Sequence, residues 1–207
     1  MVIFKKSVFP RLATFDVRPC NINEMKFAVI NTNLAPGGKP AVVATTLASL
    51  FTDAEHEVDL IHLGELDLPA CDGYVCYQNA ATISLTETLA SVDAILLVSP
   101  VYNYDLNAAA KNLIELTGSS WKGKAVGLVC LAGANRSYLA PLAFINSLAI
   151  DYRCLVSPRY VYVTRTDFTE GNELPLDGDI YKRLRFLATE MPVLAGAAAK
   201  IATFDRS

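Results

Sequence analysis

The residue types in the segment 31–40 suggest a loop that binds an anion. Three of its side chains can donate to a phosphate: Thr32, Asn33 and Lys39. A helix predicted to begin near Pro40 would add free backbone amides and the positive end of its dipole, and Gly37 and Gly38 would let the backbone approach closely. The spacing matches neither Gly-x-Gly-x-x-Gly nor a Walker loop. We therefore predict phosphate binding here, with a plain polar turn as the alternative.

The segment 100–105 suggests a site for a planar ring. Pro100 is expected to end a strand because it has no amide hydrogen, and Asp105 is expected to cap the next helix. The residues between them are Val101, Tyr102, Asn103 and Tyr104. Backbone amides in such a turn can donate to the polar edge of a ring, with Tyr102 or Asn103 fixing its orientation. A capping turn with incidental tyrosines is the alternative.

A third polar segment, residues 132–137, follows another apolar run. Gly133 lets backbone and ligand come close, and with Ala134 and Asn135 it is predicted to contact the opposite side of the ring. The planar fork of Arg136 matches phosphate oxygens such as those of a nicotinamide nucleotide. A surface arginine is the alternative for Arg136.

The elements that position these segments are predicted from five apolar runs: residues 26–31, 58–63, 94–99, 125–131 and 154–163. The runs lack a period of two, which indicates strands buried on both faces of a parallel sheet. Helical patterns lie between them, and right-handed crossovers then give a doubly wound α/β fold. In the strand order 2-1-3-4-5, the loops after the first, third and fourth strands converge beyond the carboxyl ends of the strands.

Composition narrows the choice of partners. The chain has 207 residues, of which 52% are hydrophobic, and carries a formal net charge of -3. It has no basic stripe, so we expect neither a nucleic-acid partner nor an anionic membrane surface. No apolar stretch is long enough to span a bilayer, and no secretory signal is evident. A soluble protein with a small-molecule ligand is the expectation.

The cysteines favour a reducing compartment, which we take to be the cytoplasm. They are odd in number: Cys20, Cys71, Cys76, Cys130 and Cys154. Cys71 and Cys76 could pair, but their spacing fits neither a redox Cys-x-x-Cys motif nor a zinc ligand pair. With only two histidines available, no metal site is expected.

Residues 1–25 differ from the rest of the chain. They contain four basic residues against two acidic ones, and the fold is expected to begin after Met25. We predict a poorly ordered N-terminal extension at 1–25, followed by a single domain at 26–207. A targeting segment is the alternative.

Several of these segments, taken together, resemble the NAD(P)H-dependent FMN reductases of the flavodoxin-like superfamily. The resemblance covers residues 26–163 and rests on four motifs: Leu66-Asp67-Leu68-Pro69, the strand and Pro-x-Tyr-Asn turn at 95–103, Ala110-Lys111-Asn112, and Trp121-Lys122-Gly123-Lys124. Three places depart from the family pattern. After the first strand the family usually has a phosphate loop that contains serine and arginine, whereas this chain has Thr32-Asn33-Leu34. Val101 stands where the family usually has glutamate, and Ala134 replaces the second glycine after the fourth strand.

The resemblance implies a flavodoxin-like three-layer sandwich that binds FMN and takes electrons from NADPH or NADH. It assigns FMN binding to residues 32, 33, 39, 100–103 and 133–135, and substrate binding to Tyr104 and Arg136. A small acceptor is implied: a flavin, a quinone, an azo compound or a metal ion. Because the cofactor carries the reaction, no catalytic side chain is predicted. The resemblance also implies a homodimer or homotetramer.

Two other functions remain open from the sequence. One is a flavodoxin-type electron carrier without a nicotinamide site, although such carriers are usually more acidic than this chain. The other is a non-catalytic family member that has lost FMN.

Overall fold

The computed structural model describes residues 24–204. Within this range the strands are β1 (Lys26–Asn31), β2 (Glu57–His62), β3 (Ala94–Tyr102), β4 (Asp105–Leu106), β5 (Ala125–Ala132), β6 (Leu155–Val156) and β7 (Val161–Thr164). The α-helices are α1 (Gly38–Thr52), α2 (Ala80–Ser91), α3 (Ala108–Thr117), α4 (Leu142–Asp151) and α5 (Asp179–Phe204). Strands and helices alternate, as the apolar runs predict.

The parallel strands follow the predicted order. β2, β1, β3 and β5 lie side by side, and β6 and β7 both pair with β5. The fifth predicted strand is thus split into β6 and β7. The break contains Pro158, which has no amide hydrogen to donate to the neighbouring strand. The two-residue strand β4 is an antiparallel addition on β3. The sequence prediction of a parallel sheet in order 2-1-3-4-5 is confirmed.

Both faces of the sheet are covered by helices. Along β1, Phe27 and Val29 pack toward α1 and α5, whereas Ala28 and Ile30 pack toward α2 and α3. Successive side chains of a strand point to opposite faces, so each central strand contributes to two separate cores. This explains the continuous apolar runs in the sequence and gives the predicted three-layer sandwich.

The predicted N-terminal extension lies outside the described residues except for its last two. Met25 is buried in the core beside α1, and its carbonyl accepts from the Glu57 amide at 3.0 Å. Met25 is thus part of the packed core, although the sequence analysis placed it in the extension. No helix within residues 24–204 is long and apolar enough to cross a membrane. Over the same residues, no cluster of three potential ligands could hold a metal ion.

Candidate functional site

The carboxyl ends of β1, β3 and β5 lie next to one another at one edge of the sheet. The register pairs Asn31, the last residue of β1, with Val98 and pairs Val98 with Val129, so β3 and β5 both continue beyond the end of β1 toward this edge. The loops that follow them form the rim where ligands bind in open parallel sheets. The structure therefore brings together the three segments that the sequence singled out.

The start of α1 provides unpartnered amides toward this rim. The helix begins at Gly38, two residues before the predicted start, and its N-cap Gly37 provides no side-chain hydrogen bond. The first amides of a helix have no partner inside it. The φ angles of Gly37 and Gly38 are 69° and 75°, values that glycine adopts without strain and other residues rarely adopt. Pro40 is tolerated in the first turn because its missing N–H would have no helical partner.

The three predicted phosphate donors occupy different environments. Asn33 makes hydrogen bonds within the loop. Its backbone amide donates to the side-chain oxygen of Asn31 at 3.0 Å, and its side-chain amide donates to the Ala35 carbonyl at 3.0 Å. The ammonium group of Lys39 lies 5.2 Å from the centre of the Phe168 ring. Thr32 is completely buried. Asn33 and Lys39 remain accessible at the loop, whereas Thr32 lies beneath it.

Asn107 joins the loop after β1 to the segment after β3. Its side-chain oxygen accepts from the Thr32 hydroxyl at 2.8 Å and from the Ser99 hydroxyl at 3.2 Å, and its amide group donates to the Thr32 carbonyl at 2.7 Å. The same oxygen accepts from the Ala110 amide and so caps α3. The Thr32 hydroxyl thus uses its one proton in the hydrogen bond to Asn107. The Thr32 side chain therefore positions the loop from below. The sequence did not single out Asn107.

Gly64 is a second supporting residue that the sequence did not reveal. It lies in the short 3-10 helix after β2, directly against the backbone of Leu34. A Cβ atom at this position would overlap the Leu34 carbonyl oxygen and lie 2.9 Å from its carbonyl carbon. Only a residue without a side chain lets the loop after β1 rest here.

The segment after β3 is a tight hairpin. β3 continues to Tyr102, where Val101 and Tyr102 pair with β4. Asn103 and Tyr104 between the two strands have φ angles of 51° and 64°, the pattern of a two-residue type I′ turn. The side chains of Tyr102 and Tyr104 are 58% and 68% exposed, respectively. The turn thus presents two aromatic side chains and an amide at the rim.

Two sequence predictions about this segment are wrong. Pro100 does not end β3, because its backbone faces the side on which β1 has already ended. The Val98 carbonyl faces β1 and accepts from the Thr32 amide at 2.9 Å. Alternate residues of a strand face the same side, so Pro100 also faces the side of β1. Because β1 has ended at that level, the missing amide of Pro100 costs no hydrogen bond in the sheet. Asp105 does not cap α3 either. It belongs to β4, and Asn107 is the cap.

The loop after β5 is exposed at the rim and is held by a tyrosine from β7. Tyr162 donates to the Ala134 carbonyl at 2.8 Å and accepts from the Ser137 amide at 3.2 Å. The exposed positions of this loop are Gly133, Ala134, Asn135 and Arg136. Tyr160 donates to the Tyr138 carbonyl, and burial together with Tyr138 raises the pKa of Tyr160. The loop backbone is thereby fixed from the sheet side.

A cavity of about 980 Å³ opens beside the hairpin, toward α3. Its apolar wall includes Leu34, Leu63, Leu66, Leu68 and Leu106. Its polar residues include Asn103 and the exposed ion pair of Lys111 with Glu115, whose charged atoms are 3.2 Å apart. Apolar walls with a few polar groups are typical of small-molecule sites.

The residues present fit a flavin mononucleotide. The uncapped start of α1 suits a phosphate, and the exposed hairpin suits the polar edge of a ring. At Gly133 an added Cβ would meet no protein atom within 4 Å, so the loop after β5 leaves open space above its backbone. The fold and this site define a flavodoxin-like protein with an FMN site.

The particular family follows from comparison with known proteins. Residues 25–167 match the family model described as NADPH-dependent FMN reductase. The chain belongs to this family, as its motifs imply, and is therefore a flavin-dependent oxidoreductase. An NAD(P)H-dependent FAD/FMN reductase of Geobacillus thermodenitrificans is 27% identical, covering 66% of this chain and 75% of the relative. An NADPH azoreductase of Bacillus sp. is 25% identical, covering 78% and 91%.

Solved structures share the fold. The flavoenzyme FerB, an NAD(P)H:(acceptor) oxidoreductase of Paracoccus denitrificans, superposes with a TM-score of 0.70 at 20% identity and covers 84% of this chain and 98% of its own. An archaeal flavodoxin superposes with a TM-score of 0.57 at 14% identity, covering 83% and 99%. At these identities the likeness shows the flavodoxin-like fold alone.

Proposed function

We propose that this protein oxidises NADPH or NADH and passes the electrons through bound FMN to a small acceptor. The observation that carries the proposal is the convergence of three features at one sheet edge: the uncapped start of α1, the exposed hairpin after β3 and the open backbone at Gly133. FMN, when bound, supplies the redox chemistry by taking up two electrons and passing them on.

The chain's own residues bind and orient. The first amides of α1, together with Asn33 and Lys39, hold the phosphate, while Thr32 supports the loop from below. Pro100, Val101, Tyr102 and Asn103 hold one edge of the ring through the hairpin backbone, and Gly133, Ala134 and Asn135 lie along the other side. Arg136 and Tyr104 contact the substrates, since both side chains are exposed at the rim.

The cavity beside the hairpin is the proposed place for the acceptor. Its leucine wall favours a flat, largely apolar molecule, so a quinone, an azo compound or a free flavin fits better than a metal ion. Steady-state assays with menadione, an azo dye, riboflavin and ferric citrate would rank the four classes. A preference for ferric citrate would contradict this assignment.

A homodimer or homotetramer in the cytoplasm completes the proposal. Family resemblance supports the assembly. Free thiols at Cys71, Cys76, Cys130 and Cys154 favour a reducing compartment. Light scattering during size-exclusion chromatography would measure the assembly, and a monomeric mass would refute it. Fractionation of the native host would test the compartment.

The decisive experiment uses one preparation. The purified protein is saturated with FMN, and its visible spectrum is recorded under nitrogen before and after NADPH is added. Loss of the flavin absorption band is expected. Bound flavin that NADPH and NADH both leave oxidised would point to an electron carrier, and failure to bind FMN at all would point to a family member without the cofactor.

Two substitutions test the residue roles. Asn103→Ala and Lys39→Ala are each expected to weaken FMN binding by about tenfold, or roughly 1.4 kcal/mol. Lys200→Ala, on the far end of α5, removes the same charge away from the rim and serves as the control. Unchanged FMN affinity in both rim variants would refute the assigned roles.

A further inference from the structure

Two cysteines lie close together in the segment between β2 and α2. The sulfur atoms of Cys71 and Cys76 are 3.9 Å apart. Cys71 is half-buried, whereas Cys76 is only 3% exposed. Both are free thiols. A disulfide needs sulfur atoms about 2 Å apart, so side-chain rotation and a small adjustment of the backbone would bring them into bonding distance.

The local fold holds the two thiols together. The Asp72 carboxylate accepts from the amides of Tyr74 at 2.8 Å and Cys76 at 3.0 Å, which bends the chain back on itself. These bonds lower the pKa of Asp72 to about 2, so the carboxylate stays ionised at neutral pH. The turn is therefore preformed before any sulfur chemistry occurs.

The segment is also fixed to α3 by Asn112. Its side-chain oxygen accepts from the Cys71 amide at 2.8 Å, and its amide group donates to the Pro69 carbonyl at 2.9 Å. Asn112 and the neighbouring Ala70 line the cavity beside the hairpin. A change at Cys71 is thus transmitted directly to the cavity wall.

The two thiols differ in a way that suits sequential oxidation. Cys71 is the accessible one and would meet an oxidant first. Burial raises the pKa of Cys76, which makes this thiol the less reactive of the two toward an oxidant. Cys130 and Cys154 are also buried, and burial raises their pKa values to about 12 and about 11, respectively. They serve as internal controls that should not react.

We propose that Cys71 and Cys76 form a reversible disulfide when the protein meets a hydroperoxide. The Cys71 thiolate attacks the peroxide and becomes a sulfenic acid, releasing one alcohol or water molecule. Cys76 then attacks the Cys71 sulfur, the S–S bond forms and water leaves. Two thiols and one hydroperoxide thus give one disulfide, one alcohol or water and one further water. A small-molecule thiol reverses the reaction by exchange.

The disulfide would regulate the cavity, an inference that rests on the proposed function. Drawing Cys71 toward Cys76 strains its bond to Asn112 and shifts Ala70, so the KM for the acceptor should rise at least threefold. The kcat and the FMN affinity should change little. Because disulfide formation is measured without any activity assay, its failure is distinguishable from failure of the proposed function.

The test treats the full chain with hydrogen peroxide, blocks the remaining thiols and digests with chymotrypsin without reductant. Cleavage after Tyr74 separates the two cysteines, so a disulfide keeps the two fragments joined until dithiothreitol is added. The joined pair is the expected result. Its absence, or a disulfide that uses Cys20 instead, would overturn the proposal.

Single substitutions sharpen the test. Cys76→Ser should leave a sulfenic acid on Cys71 that dimedone labels, whereas Cys71→Ser should give neither label nor disulfide. Dimedone labelling of Cys76 in the Cys71→Ser variant would show that peroxide oxidises the buried thiol without Cys71, which would contradict the assigned roles. Cys130→Ser is the matched control and should form the disulfide as the unchanged protein does.

Discussion

The loop after β1 and the hairpin after β3 form neighbouring parts of the rim, but they are stabilised differently. The hairpin is closed by backbone pairing of β3 with β4, and its turn residues Asn103 and Tyr104 adopt the I′ geometry. The loop after β1 has no strand partner beyond Thr32. It is held by the side chains of Asn31 and Asn33 and by contact with Gly64.

This difference distinguishes the two halves of the FMN site that we propose, the hairpin for the ring and the loop after β1 for the phosphate. The ring half is part of the sheet, and its shape follows from local pairing. The phosphate half depends on residues from other parts of the chain, because Thr32 is bound by Asn107, 75 residues away. We expect substitutions of these distant supports to damage the phosphate half more than the ring half.

Asn107→Ala should have the largest effect on stability. It removes the cap of α3, worth about 1 kcal/mol, and leaves the Thr32 hydroxyl and carbonyl without their buried partner, which costs about 2 kcal/mol more. Urea denaturation should show that the free energy of unfolding falls by about 3 kcal/mol. The affinity for FMN should also fall, because the loop that would hold the phosphate loses its support.

Asn79→Ala is the matched control for this change. Asn79 caps α2 in the same way, with its side chain accepting from the amides of Ala81 and Thr82, but it lies away from the rim. Its substitution should cost about 1 kcal/mol and leave FMN affinity unchanged. Equal losses of stability in the two variants would show that Asn107 acts only as a helix cap.

Gly64→Ala should come next, with a loss of about 2 kcal/mol. The new Cβ overlaps the Leu34 backbone, so the loop after β1 must move. Riboflavin lacks the phosphate, so its affinity should change less than that of FMN. Isothermal titration with both ligands measures the difference. Gly171→Ala, where the nearest atom to a new Cβ is 3.8 Å away, is the control, and equal loss of both ligands would contradict the assignment.

The same contrast explains what the sequence could predict. The apolar runs predicted a parallel sheet covered on both faces, because consecutive residues such as Ile95 and Leu96 are both apolar and both buried. The strand order 2-1-3-4-5 came from the flavodoxin-like fold and not from the runs themselves. The hairpin could be located from its tyrosines and asparagine. The prediction that Pro100 ends β3 was wrong, because the effect of Pro100 depends on where the neighbouring strand β1 ends. The residues around Pro100 do not reveal that end.

The supports of the phosphate half could not be predicted locally. Asn107 is one of several asparagines in the sequence, and only tertiary packing brings it to Thr32. Gly64 looks like an ordinary turn glycine until the Leu34 backbone is seen against it. Cys71 and Cys76 were recognised as a possible pair, but Asp72 is the residue that bends the chain and brings them together.

Tyr162→Phe should have a smaller effect, about 1 kcal/mol. The variant loses its bonds to Ala134 and Ser137, but water can replace them because both residues lie near the surface. The loop after β5 should become more mobile, which we expect to raise the KM for NADPH by about threefold with kcat nearly unchanged. Hydrogen exchange of the Ser137 amide would report the loosening directly. Faster exchange without a change in KM would mean that this loop does not contact the donor.

Gly133→Ala should have the smallest effect on stability and the most specific effect on the ligand. An added Cβ meets no protein atom within 4 Å, and the residue is not among those with positive φ. The free energy of unfolding without FMN should therefore change by less than about 0.5 kcal/mol.

If the ring lies over this backbone, the same methyl group would collide with it, and FMN affinity should fall by about tenfold, or 1.4 kcal/mol. Here riboflavin should lose as much affinity as FMN, the reverse of the pattern expected for Gly64→Ala. The pair of variants thus separates the two halves of the site by ligand. An unchanged affinity for both flavins would place the ring away from the loop after β5, with the hairpin alone contacting it.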